Sequence, residues 1–113
     1  MLVVDDNQDA ADSLVLLLNM KGHEAFAAYS GPEAVSSADA HKPDVVLLDI
    51  GMPQMSGYDV VRELRHHSRA PRPRIYALTA FTQVSDRLAA KQAGFDGHLP
   101  KPVDLDTLLG LLA

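Results

Sequence analysis

The run Val45-Val46-Leu47-Leu48 is apolar at every position and stops at Asp49, and Ile75-Tyr76-Ala77-Leu78 stops in the same way at Thr79. Such runs suit the central strands of a parallel sheet, where helices cover both faces. Three more short runs share the polar ending. Leu2-Val3-Val4 passes into Asp5-Asp6, Ala25-Phe26-Ala27-Ala28 into Tyr29-Ser30, and His98-Leu99 into Pro100-Lys101-Pro102.

Helical spacing fills the intervals. A first helix is predicted over about 8–21, with Ala11, Leu14, Val15 and Leu18 on one face and Gly22 to stop it. A second opens on a capping box, Ser30 with Glu33. A third, from about Gly57 to His67, presents Val60, Val61 and Leu64. A fourth covers about 83–93, with Val84, Leu88 and Ala89 inward and Gly94 beyond its end. A fifth, about eight or nine residues, starts after Asp104 and repeats Leu105, Leu108, Leu109 and Leu112. Strand then helix, five times over, implies a parallel sheet with helices on both sides. The Pro-rich stretch from Ser68 to Pro73 reads as a surface loop.

Composition narrows the function. At 113 residues the chain fits one domain over 1–113, and it is expected to be cut from a longer protein. It has no cysteine, which excludes disulfides, Cys-ligated zinc and a thiol nucleophile and suits a reducing cytosol. The longest apolar run, Leu14 to Leu18, is far short of the ~20 residues that span a bilayer, so no membrane contact is expected. The net charge of −5 argues against direct nucleic-acid binding. Neither a P-loop nor a G-x-G-x-x-G fingerprint occurs.

In open parallel sheets, ligands sit at the carboxyl ends of the strands. The polar residues there are Asp5, Asp6, Asp49, Thr79 and Lys101. If the first and third strands are neighbours, Asp5, Asp6 and Asp49 share one small site. Two like charges about 4 Å apart repel by roughly 4 kcal/mol at an effective dielectric of 20. The trio must therefore take up protons or hold a cation, and oxygen-only ligands suit Mg²⁺. Three carboxylates, one Mg²⁺ and Lys101 sum to zero charge. With the Thr79 hydroxyl added, the group would cradle a phosphoryl group, which a carboxylate itself can accept.

The segments Leu2-Val3-Val4-Asp5-Asp6-Asn7, Leu47-Leu48-Asp49 through Gly57, Ala77-Leu78-Thr79-Ala80 and Lys101-Pro102 carry a resemblance. In this order and spacing the chain resembles the receiver domain of two-component response regulators, including receivers fused to hybrid histidine kinases. The resemblance implies a flavodoxin-like (βα)5 doubly wound sheet of strand order 2-1-3-4-5. It implies that Asp49 accepts a phosphoryl group from a phosphohistidine on a histidine kinase or a histidine phosphotransfer domain. Asp6 and Asp49 would ligate Mg²⁺ directly, Asp5 through water, and the Gly51 carbonyl would complete the protein ligands. Thr79 and Lys101 would bind phosphoryl oxygens, and the Lys101-Pro102 bond would be cis. The domain would be a switch that catalyses its own phosphorylation and dephosphorylation, located in the cytoplasm even if its parent is membrane-anchored. Its surface of fourth helix, fifth strand and fifth helix would pass the signal to an output or kinase domain in the same chain, or form a weak homodimer.

Some positions depart from the family's usual pattern. His98 stands where the switch aromatic is common, Gly51 and Phe81 flank the path of attacking water, and Pro100 precedes the lysine. Plainer roles also exist: Asp6 or Asn7 as a helix N-cap, Asp5 as a solvated strand end. Arg62, Arg65, Arg69, Arg72 and Arg74, with His66 and His67, read as cations at a helix C-terminus and an exposed loop. Two alternative functions remain, a phosphorylation-independent adaptor and an aspartate-nucleophile phosphatase. The phosphatase needs Asp-x-Asp after the first strand, and here the third position is Asn7.

Overall fold

Alternation along the strands divides the apolar residues between two faces of a five-stranded parallel sheet of order β2-β1-β3-β4-β5. The computed structural model describes residues 1–50, 57–67, 73–79, 94–101 and 103–112. The strands are β1 (Leu2–Val4), β2 (Phe26–Ala28), β3 (Val45–Asp49), β4 (Arg74–Thr79) and β5 (Gly97–Pro100). The described helices are α1 (Gln8–Met20), α2 (Gly31–His41), α3 (Gly57–His67) and α4 (Leu105–Leu112). The helix expected over 83–93 lies outside the described residues, as do positions 68–72 of the expected loop. Thus α4 is the last of the five helices read from the sequence.

Leu2, Val4, Val46, Leu48, Ile75 and Ala77 face one way and pack with Ala34 of α2 and Val60, Val61 and Leu64 of α3. Val3, Val45, Leu47, Tyr76, Leu78 and Leu99 face the other way, against Ala11, Leu14 and Leu18 of α1 and Leu108 of α4. All five residues of β3 are buried. This double coverage is what its unbroken apolar run required.

The helix boundaries follow their caps. Asn7 accepts the Ala10 N–H at 3.1 Å and starts α1, and Gly22, at φ 89°, ends it. Ser30 Oγ accepts the Glu33 N–H at 3.2 Å, as the capping box predicts. The return bond differs from the usual box: Glu33 Oε2 accepts from Tyr29 N rather than from Ser30 N. Among the described residues no helix is long and apolar enough to cross a membrane.

Candidate functional site

The register of the sheet builds the site. Leu2 pairs with Val46 and Val4 with Leu48, so the chain leaving β1 at Asp5 is level with Asp49 at the end of β3. Asp5 shares strand parity with Val3, Asp49 with Leu47, and Lys101 with Leu99, all on the face toward α1 and α4. Three side chains far apart in sequence are thereby aimed to the same side of one rim.

Lys101 Nζ lies 3.0 Å from Asp5 Oδ2 and 3.2 Å from Asp49 Oδ2. Both carboxylates are almost enclosed, with Asp5 3% and Asp49 7% exposed. Asp5 is further fixed at Oδ1, which accepts the Asn7 N–H at 3.0 Å, and its own N–H donates to the Ala28 carbonyl. Burial alone would lower the Lys101 pKa, but hydrogen bonds and attraction from Asp5 and Asp49 outweigh it and raise it above the ordinary lysine value. The ammonium is therefore charged at neutral pH and balances one of the two buried carboxylates.

Asp6 is exposed, and its carboxylate completes the cluster: Asp5, Asp6 and Asp49 each offer an oxygen within 4.8 Å of the others. Ligands of a Mg²⁺ octahedron, each at about 2.1 Å, stand about 3.0 Å apart when adjacent and about 4.2 Å apart when opposite. The acidic trio could therefore hold a small divalent cation after slight adjustment, or with one carboxylate acting through water. Thr79 is buried at the end of β4, and its carbonyl accepts the Lys101 N–H at 2.9 Å. That bond carries the chain from β5 back toward the carboxylates.

The structure brings together Asp5, Asp6, Asp49 and Lys101, and joins Thr79 to them through its backbone. His98 is half-buried in β5 opposite Ala77. Gly51, Phe81 and Pro102, and with Pro102 the expected cis bond, lie outside the described residues. The plain capping role belongs to Asn7, not Asp6. Asp5 is not a solvated strand end.

One sequence reading is corrected. Arg65 is not a surface cation: its side chain is only 12% exposed and pairs with Asp96 at 2.6 Å. The Gly94 carbonyl accepts from its Nε and Nη2, and the Pro73 carbonyl from its Nη1. Carbonyl partners leave no mark in a sequence, which is why it looked like its neighbours.

The fold is shared with known proteins. The chain is 39% identical over 111 residues to the transcriptional regulatory protein KdpE of Mycobacterium tuberculosis, covering 98% of this chain and 48% of that protein. It thus spans about half the length of the curated relatives it matches. The structure of the chemotaxis protein CheY4 of Vibrio cholerae superposes with a TM-score of 0.91 at 32% identity, covering 98% of this chain and 92% of that one. A response regulator of Burkholderia pseudomallei, solved with a phosphorylated aspartic acid, a calcium ion and citrate, gives 0.88 at 28% identity, covering 99% and 65%. The family model for the response regulator receiver domain matches residues 1–113. Sheet order, acidic rim and sequence match agree, and the chain belongs to the response regulator receiver domain family.

Proposed function

We propose that Asp49 is the phosphoacceptor of this receiver domain. One observation carries the reading: Asp49 is a nearly buried carboxylate at a strand end, within 3.2 Å of an ammonium it shares with Asp5. In the reaction, an Asp49 oxygen attacks the phosphorus of a phosphohistidine. The P–N bond breaks, a P–O bond forms and the imidazole leaves. The donor would be a histidine kinase or a histidine phosphotransfer domain. The phosphorylated aspartic acid of the Burkholderia relative supports the same chemistry here.

Asp6 and Asp49 are the direct candidates for Mg²⁺. Asp5 suits a water-mediated contact, because its two oxygens already accept from Asn7 N and Lys101 Nζ. A bound Mg²⁺ would neutralise carboxylate charge and polarise the phosphoryl oxygens. Lys101 would follow the new charge, exchanging a carboxylate for a phosphoryl oxygen. Phosphorylation replaces a charge of −1 by about −2. If Lys101 and Thr79 meet the phosphoryl group only in one of two arrangements, phosphorylation biases the balance between them. The domain would also hydrolyse its own acyl phosphate, and so act as a switch.

The test is incubation with Mg²⁺ and acetyl phosphate followed by intact mass measurement. One phosphoryl adduct is expected, absent in Asp49→Ala and absent with chelator. Lack of an adduct with acetyl phosphate and with phosphohistidine donors would favour a phosphorylation-independent adaptor. Continuous turnover of a phosphate ester would favour the phosphatase.

A further inference from the structure

The strand that delivers Lys101 has little of its own to hold its register. β5 is a four-residue edge strand. Gly97 contributes no side chain, Pro100 has no N–H, and of its residues only Leu99 is buried. Register is weakly specified where the apolar pattern is this thin. A slip of one residue would carry Lys101 about 3.3 Å along the sheet and turn it to the opposite face.

The lock lies at the other end of the strand. Asp96 donates its N–H to the Ile75 carbonyl at 2.7 Å, and its Oδ2 accepts the Ile75 N–H at 2.8 Å. This pair of bonds recognises one residue of β4, and a slipped register breaks both. Asp96 Oδ2 also accepts Arg65 Nη2 at 2.6 Å. Arg65 in turn gives Nε and Nη2 to the Gly94 carbonyl and Nη1 to the Pro73 carbonyl. One guanidinium on α3 thus ties the approach to β4 and the approach to β5 to the same point. From Asp96 to Lys101 is five residues, about 16 Å of strand. At the far end Lys101 N bonds the Thr79 carbonyl.

We propose that Arg65 and Asp96 are positioning residues for Lys101: they lock the register of β5 at its start and so hold the ammonium on Asp5 and Asp49 at its end. The activity arm of the test rests on Asp49 being the phosphoacceptor. The other arm does not.

In the first arm, phosphorylation by acetyl phosphate at saturating Mg²⁺ is timed for the wild type, Arg65→Gln, Asp96→Ala and the milder Asp96→Asn. Misplacing a group by an ångström at this distance from the chemistry is expected to slow the reaction roughly 10- to 100-fold in Asp96→Ala and Arg65→Gln. Residues acting through Lys101 add nothing once it is gone, so Arg65→Gln in a Lys101→Gln background should cause no further slowing. Leu2→Ala, which loosens the core face opposite to that of Lys101 at the start of β1, away from the rim and with two strands between it and β5, should lower stability without changing the rate. Wild-type rates in both Arg65→Gln and Asp96→Ala, or a full further loss in the Lys101→Gln background, would overturn the proposal.

In the second arm, amide exchange follows the Lys101 N–H. Its protection is expected to fall in Asp96→Asn relative to that of Val46 in the sheet centre. If the wild type itself takes no phosphoryl group, the reading of Asp49 fails and this arm decides alone. Lost protection then supports the register lock, and retained protection overturns it.

Discussion

The Lys101 ammonium and the Asp5 carboxylate, 96 residues apart in the chain, meet at 3.0 Å. The same ammonium serves Asp49 at 3.2 Å, so Lys101→Met leaves two nearly buried carboxylates facing each other. The expected loss is about 1–3 kcal/mol at neutral pH, below that of a fully buried pair because a third of Lys101 still meets water. A ligand that binds only the folded state stabilises it by mass action, so Mg²⁺ should raise the melting midpoint more in Lys101→Met than in the wild type. The Lys101 pKa is raised, so its contribution is complete below the ordinary lysine value of 10.5 and fades as pH rises through the folded value. Urea titrations of both proteins should therefore give a constant difference through neutral pH that narrows only in strong alkali.

Gly97 pairs with Tyr76, and a Cβ at Gly97 would stand 3.0 Å from the Tyr76 ring. Gly97→Ala must displace that ring from a packed face, at a cost of about 1–3 kcal/mol. Tyr76→Val removes the contacting Cδ1 and Cε1 positions, so adding Gly97→Ala to it should cost far less. A double-mutant cycle of denaturant midpoints measures the difference.

The strand and helix order among the described residues, the two covered central strands and the placing of Asp5, Asp6 and Asp49 at strand ends were legible in the sequence. Each follows from local pattern plus the rule that parallel strands end at a common rim. The strand order came from the family resemblance, since no local signal says which strands are neighbours. Arg65 was not legible. Its burial depends on Gly94, where a Cβ would come within 3.3 Å of Arg65 Cγ, and on carbonyls that every residue carries. The one available signal was Gly94-Phe95-Asp96-Gly97, where a lone acid between glycines precedes a strand too short to hold its own register.

Lys42 ends α2 in the left-handed region, at φ 46° and ψ 58°. A side chain there costs about 1–2 kcal/mol, and glycine avoids that at an entropic cost of about 0.5–1 kcal/mol. Lys42→Gly is therefore expected to stabilise the fold by about 0.5–1 kcal/mol, read as a higher urea midpoint at unchanged slope. Lys42→Ala, which keeps a Cβ in the same conformation, should show no such gain.

Asp104 stands immediately before α4. Its carboxylate accepts the Thr107 hydroxyl at 2.6 Å, and its carbonyl accepts the Leu108 N–H at 3.0 Å. The Thr107 hydroxyl, with the N–H groups of Thr107 and Asp106, holds the Asp104 carboxyl below its ordinary range. A depressed folded pKa contributes stability that is complete above the unfolded value and is lost as pH falls through the folded one. Asp104→Ala should therefore lower the urea midpoint at neutral pH, and the gap to the wild type should close in acid. Asp104→Ser keeps an acceptor for the helix N-terminus without the charge, so it should retain much of the midpoint and lose the acid dependence. The consequence reaches Lys101, because α4 supplies Leu108 to the core beneath β5 and packs on the face from which the ammonium is aimed. A weakened cap should then increase amide exchange at Leu108 before it does so at Val46 in the sheet centre, and equal exchange at both would assign the loss to global unfolding instead.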